Sequence, residues 1–223
     1  MLEETRVLDS ASDTKIESSP ASAEARPRQG QQPIRVLHII TRMIVGGAQE
    51  NTLLSVEGLD RMDEYDVVLM SGIDRGREGE LLTRARQTTK LIIVPELGRD
   101  ISPFNDLKAF WKLYRLIREG NYHIVHTHSS KAGVLGRIAA YLAGTPLSVH
   151  TLHSLVFHDY QPWLVNRTWR VVKKICAPLT DHFISVSSII SQKAIAAGID
   201  RPEKFTTVYS GMELDWFLKA EFD

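Results

Sequence analysis

The chain has 223 residues, 43% hydrophobic and 24% charged, with 27 Lys plus Arg against 27 Asp plus Glu. That is enough for one core and short of two ordinary domains, and the even charge balance argues against the strongly basic surface of a nucleic-acid binder. Cys176 is the single cysteine, so neither an intrachain disulfide nor a cysteine-based zinc site can form, as suits a reducing compartment.

Residues 1–33 are acidic and polar, with Ser18-Ser19-Pro20 and an Arg/Gln/Gly/Pro mixture from Ala25 to Pro33. They lack the apolar stretch of a secretory leader and the apolar surface that would offset the entropy of ordering, so they read as a disordered tail. No apolar run reaches the ~18 residues of a spanning helix. The expected location is cytoplasmic.

Order is expected from Ile34. The β-branched run Ile34–Ile40 reads as a buried strand, and similar runs recur at Tyr65–Met70, Leu91–Val94, His123–His128, Leu147–Leu152, His182–Val186 and Phe205–Tyr209. Most are apolar nearly throughout, the pattern of strands covered on both faces. Helical spacing lies between them: Leu107, Phe110, Trp111, Tyr114 and Ile117; then Leu135, Ile138, Ala139 and Leu142; then Val165, Trp169, Val172 and Cys176. The alternation predicts an α/β fold, a single Rossmann-like domain whose mostly parallel sheet carries helices on both faces. Such sheets bind ligands at the carboxyl ends of their strands, so the residues after each strand carry the function.

After the first strand come Gly46 and Gly47, with a helix expected to start near Ala48. A glycine pair at a helix N-terminus lets N–H groups approach an anion such as a diphosphate; a tight turn requiring positive φ is the equal alternative. The spacing is neither GxGxxG nor a Walker loop. The fourth strand ends in His126-Thr127-His128-Ser129-Ser130-Lys131. Ser129 or Ser130 suits a helix cap, and Lys131 favours an anion. His126 and His128 share a strand face. That invites a metal, with His153 or His158 as third ligand, but no carboxylate or cysteine completes the shell, and no metal is expected. After the fifth strand, His150 reads as satisfied by backbone and His153, at the strand tip, as functional. An aromatic loop with Phe157 follows, and the helix beyond it combines Trp163 and Trp169 with Arg167, Arg170, Lys173 and Lys174, a mixture that suits a membrane surface as well as an ordinary amphipathic helix.

In this order the motifs resemble the GT4 family of retaining glycosyltransferases with the GT-B fold. The resemblance rests on Gly46-Gly47, the segment His126–Arg137, His153, and the closing block Asp181–Ser187 through Val208–Glu213. It implies half of a GT-B fold: the acceptor-side N-terminal domain at 34–217, with the interdomain linker beginning at 218–223. By matching position, Gly46 and Gly47 would approach the donor diphosphate. His153 would be the catalytic-site histidine near the transferring sugar, although Ser154 stands where the family has Gly. His128, Ser129, Ser130, Lys131 and Gly211 would line the cleft or acceptor site; Gly211 lies in Ser210-Gly211-Met212-Glu213, where the family has N-G-V-D.

The implied activity moves a sugar from a nucleotide-sugar donor to a glycan or lipid-linked acceptor. The nucleotide sugar is a substrate, and no cofactor is expected. Glu213 and Glu221 satisfy the family's E-x7-E only as a string, so the donor half is expected outside these residues, either in a longer form of the chain or on a separate donor-domain chain, with peripheral contact to the cytoplasmic membrane face through 157–174. Beside the enzyme stands a non-enzymatic glycan-binding module or inactive fragment. A nicotinamide-dependent oxidoreductase is disfavoured by the missing glycine fingerprint.

Overall fold

A computed structural model describes residues 32–73, 80–155, 162–212 and 218. The tail read at residues 1–33 therefore lies outside them up to residue 31, as do Phe157, His158 and Glu213 and, apart from Leu218, the expected linker.

Among the described residues seven strands and six helices alternate: β1 Ile34–Ile40, α1 Gly47–Asp60, β2 Tyr65–Ser71, α2 Glu80–Thr88, β3 Lys90–Ile93, α3 Pro103–Gly120, β4 Ile124–His128, α4 Ser130–Ala143, β5 Leu147–Leu152, α5 Trp163–Cys176, β6 His182–Ser185, α6 Ser188–Ala196 and β7 Phe205–Thr207. The sheet order is β3-β2-β1-β4-β5-β6-β7, and every pair is parallel. The winding reverses between β1 and β4, so their carboxyl ends form the crevice where such sheets receive ligands.

Alternation along the strands sorts the core into layers. Val36, Ile40, Val67 and Leu69 point to one face and meet Leu53 and Val56 of α1 and Leu81, Leu82 and Ala85 of α2. Leu37, Ile39, Met70 and Val125 point to the other and meet α3 and α4. Leu152 and Phe183 continue that face beneath α6. Each such buried aliphatic side chain stabilises by roughly 1.5–3 kcal/mol. α4 lies close to the sheet because its inner face is small: a Cβ at Gly136 would stand 2.8 Å from Thr127 Cγ2, and one at Gly133 3.1 Å from His150 Nδ1.

The helix faces differ from those the spacing predicts. On α3 the buried residues are Ala109, Leu113 and Ile117, while Leu107 and Trp111 are 57% and 58% exposed. The apolar stripe is wider than the contact, and the sheet takes the side where Ala109 permits close approach. On α4, Leu142 likewise faces outward, and the buried set is Ala132, Gly133, Gly136, Arg137, Ala139 and Ala140. Helices α2 and α6 are additions to the sequence reading.

Two cations lie inside. Arg137 is fully buried; its Nε donates to the Gly133 carbonyl at 2.6 Å and its Nη1 to Thr180 Oγ1 at 2.9 Å. Lys173, expected on the solvated face of α5, is buried 3.3 Å from His150 Nε2. Burial, with Arg137 nearby, lowers it to about 7. The α5 stripe places Cys176 and Lys173 on the same inner side, so the surface charge of this helix comes from Arg167, Arg170 and Lys174.

Candidate functional site

The crevice between β1 and β4 is closed by side chains from the strand tips. Thr41, just past β1, bonds Ser129 Oγ at 2.5 Å and receives the Ala132 N–H of α4 at 3.4 Å. Ser129 occupies the N-cap position of α4, yet its side chain makes no capping bond, and its backbone sits at φ 60°, ψ 170°. That region is nearly reserved for glycine and costs about 1–3 kcal/mol for other residues. The capping role expected of Ser129 is thus replaced by a bond across the crevice. Backbone strain of this kind concentrates at ligand sites.

Beside this clamp, histidines from three strands meet. His38 on β1 is in register with His126 on β4. His38 Nδ1 lies 3.0 Å from His128 Nε2, and His128 Nδ1 lies 3.1 Å from His153 Nε2. His126 Nε2 bonds Thr151 Oγ1 at 2.7 Å. One ring nitrogen from each of His38, His126 and His128 falls within 4.8 Å of the others. The histidine joining the pair that shares a strand face is therefore His38, with His153 bonded beyond. Burial lowers His38 and His153 to about 4. Burial first, then neighbouring histidines, holds His126 and His128 well below the ordinary imidazole range. All four are neutral at physiological pH. His150 lies on the other sheet face, bonded to Thr127 and Lys173.

A cleft of about 620 Å³ opens from the clamp toward α3 and α5. Its inner rim is polar, with Thr41, Arg42, Ser129 and Ser130. Its outer wall is apolar, with Ile101, Val134, Leu135, Trp169 and Val172. Lys131 lines it too, but its ammonium is paired with Asp106 of α3 and donates to the Asp100 carbonyl. The anion-attracting charge expected of Lys131 is neutralised within the protein by Asp106; Arg42 and Arg99 also line the cleft.

The structure gathers some expected residues and separates others. Ser129, Ser130 and Lys131 line the cleft; His128 and His153 are bonded together beside it without lining it. Gly46 caps α1 in an extended conformation (φ 167°), and Gly47 opens the helix. Neither has the positive φ of a tight turn, and a Cβ on Gly47 would meet nothing within 4 Å. Gly211 is exposed beyond β7, three strands from β4, and does not line the cleft. Thr41, Arg42, Arg99 and Asp106, absent from the sequence reading, line the cleft. Their signal was weak: each stands in a loop or at a helix start, and the partners of Thr41 and Asp106, Ser129 and Lys131, are distant in sequence. Among the described residues no helix is long and apolar enough to cross a membrane.

Known proteins agree with this architecture. The chain is 31% identical over 187 residues to the UDP-Gal:alpha-D-GlcNAc-diphosphoundecaprenol alpha-1,3-galactosyltransferase of Escherichia coli, a match covering 84% of this chain and 47% of that protein. It is 28% identical over 119 residues to the capsular polysaccharide biosynthesis glycosyltransferase CapM of Staphylococcus aureus, covering 53% and 31% respectively. The chain thus spans half or less of the length of these relatives. Among solved structures, a glycosyltransferase from Rickettsia africae superposes with a TM-score of 0.60 at 18% identity, over 84% of this chain and 45% of that one. A UDP-N-acetylglucosamine 2-epimerase from Rickettsia bellii gives 0.61 at 16%, over 85% and 50%; transferase and epimerase share the fold alone. The model of Glycosyltransferase Family 4 matches residues 45–216. With a strand-end crevice of the required topology and a family match through most of its length, the chain belongs to glycosyltransferase family 4.

Proposed function

We propose that this chain is the acceptor-side half of a retaining glycosyltransferase that acts at the cytoplasmic membrane face on a sugar carried by a lipid diphosphate. One observation carries the reading: the cleft joins a polar strand-end rim to an apolar wall. A diphosphate-linked sugar suits Thr41, Arg42, Ser129 and Ser130, and the first part of a lipid chain suits Leu135, Trp169 and Val172. The acceptor named for the Escherichia coli relative has this chemistry. Gly46 and Gly47 need no special backbone for the chain's own sake, so their value lies in the open approach they leave at the α1 N-terminus to a donor diphosphate.

In the reaction, the bond from the sugar's anomeric carbon to the nucleoside diphosphate breaks. A bond to an acceptor hydroxyl oxygen forms on the same face, and the hydroxyl proton leaves with the diphosphate. His153, held neutral by burial, serves as a hydrogen-bonding group on the sugar. The nucleotide sugar enters as substrate with no resident cofactor, and its nucleotide is held by a donor domain outside the described residues.

The test is transfer from a panel of UDP-sugars to GlcNAc-diphosphoundecaprenol, by this chain with and without a donor-domain polypeptide. Transfer is expected only with both halves, and His153→Ala should slow it about 100-fold, the scale of one lost transition-state hydrogen-bonding group. Absence of transfer by the combined halves despite tight acceptor binding would make the chain a binding module.

The membrane is met by the outer surfaces of α3 and α5. Phe104, Trp163, Leu164 and Ile175 are each at least 66% exposed, beside Arg167, Arg170 and Lys174. Arg167 also lies over the Trp163 ring at 5.5 Å. Each basic residue near anionic lipid contributes about 1 kcal/mol. Changing all three to Gln is therefore expected to weaken co-sedimentation with phosphatidylserine-containing vesicles by about 100-fold at low salt. Equal binding by both proteins would exclude docking through this helix.

A further inference from the structure

The three imidazoles at the tips of β1, β4 and β5 form a line. Ring centroids of His38 and His128 are 5.2 Å apart with planes 13° from parallel, and those of His128 and His153 are 5.3 Å apart with planes at 35°. With nitrogens 3.0 and 3.1 Å apart, these are the separations of rings joined end to end, each nitrogen aimed at the next, and not of rings stacked face to face. His128 spends one nitrogen on each neighbour. His126 packs against the His38 and His128 rings, at 4.7 and 4.3 Å between centroids, but spends its Nε2 on Thr151.

A neutral imidazole carries one N–H and one lone pair. Three rings hold three protons, and the two contacts use two of them. The third must sit at one end, on His38 Nε2 or on His153 Nδ1. Any other distribution sets two protons or two lone pairs against each other across about 3 Å. The inner end decides. His38 Nε2 is buried and has no hydrogen-bond partner among the described residues. A buried N–H left unpaired is rarer than a buried acceptor left unpaired, so His38 Nε2 carries the lone pair.

We infer that His38 and His128 are positioning residues that fix His153 as its Nδ1–H tautomer, making its outer nitrogen a hydrogen-bond donor toward an oxygen of the bound sugar or phosphate. The line runs one way: His38 Nδ1–H donates to His128 Nε2, and His128 Nδ1–H donates to His153 Nε2. A ligand offering only a donor at that position would reverse all three rings and bury an unpaired N–H at His38, so the device selects acceptor oxygens. Burial, which lowers all three histidines, keeps a fourth proton out of the line. The oxygen ligand rests on the glycosyl-transfer reading, but the tautomer does not.

The experiment is two-bond proton–nitrogen correlation spectroscopy of the 15N-histidine-labelled chain at pH 7 after chelator treatment. His38, His128 and His153 should each show a protonated Nδ1 and a bare Nε2. In His128→Leu, with the other amide resonances in place, both His153 nitrogens should move toward the averaged shifts of an imidazole exchanging between tautomers. If that variant does not fold, the wild-type pattern decides alone. A bare Nδ1 on wild-type His153, exchange-averaged shifts, or a His153 pattern unchanged in His128→Leu would overturn the inference. One equivalent of zinc should leave the spectrum unchanged; zinc binding that shifts His38, His126 and His128 together would make the cluster a metal site instead. Loss of sugar transfer with this tautomer pattern intact would count against the proposed activity and leave the line standing.

Discussion

Gly72→Ala is expected to cost more than about 4 kcal/mol, leaving little folded protein, because the new methyl has nowhere to go. Gly72 follows β2 and is wedged between two backbones. A Cβ there would fall inside the contact distance of the Thr41 and Leu97 carbonyl oxygens and 2.7 Å from the Leu97 carbonyl carbon. Backbone cannot swing aside as the end of a long side chain can. Relief would require moving the Thr41 segment, whose hydroxyl clamps Ser129 and the start of α4, so stability and cleft geometry fail together. Gly47→Ala is the matched control: its Cβ meets open space, and a helical Gly→Ala change is neutral or stabilising by up to about 1 kcal/mol. Urea denaturation of the two variants separates them. A Gly72→Ala protein within 1 kcal/mol of the parent, on the order of one ordinary surface change, would show that the crossing of these backbones is looser than described.

Mild acid should unfold the chain. His38 and His153 are lowered to about 4, and His126, His128 and His150 are held well below 6.5, burial being the leading cause in each. The folded-state values lie below the unfolded one. Between them the unfolded chain binds protons that the folded chain refuses, so the histidines' contribution to stability is complete above about pH 6.5 and is lost as pH falls toward 4. Each histidine contributes up to about 1.4 kcal/mol per pH unit. Five acting together remove on the order of 5 kcal/mol or more by pH 5, comparable with a whole domain's stability. Urea midpoints between pH 7.5 and 5 should fall steeply, and His126→Leu should reduce the slope by about one proton. Stability that stays flat through this range would mean that these rings are hydrated.

The sheet was legible in the sequence because its strands are buried on both faces. Ile34–Ile40 and Leu147–Leu152 coincide with β1 and β5 end for end, since each run is short, contains β-branched residues and begins directly after a proline, Pro33 or Pro146. Helix faces were less legible. Periodicity finds an apolar stripe, but which part of it touches the sheet depends on local size, and Ala109 displaced Leu107 and Trp111. The site was legible in part. Glycines and histidines after strands announce themselves, and His128 with His153 does form one cluster. His38 did not, because a lone histidine in an apolar strand looks like core until β1 and β4 are set in register. Lys131 lines the cleft as expected, but its partner Asp106 lies on another helix, and nothing local foretells that pairing.

The reversal of winding between β1 and β4 also governs how the domain is born. Arg35 and His123, hydrogen-bonded neighbours across that junction, are 88 residues apart. At about 5–20 residues per second of synthesis, β1 leaves the ribosome roughly 4–18 seconds before its second neighbour exists. In that interval its paired side can fill with β2 and β3, while the other side presents an open row of backbone donors and acceptors, the template on which chains join one another. The three-stranded sheet β3-β2-β1 is therefore the nascent species that a chaperone would have to shield, and the future ligand crevice is the seam that closes when β4 arrives.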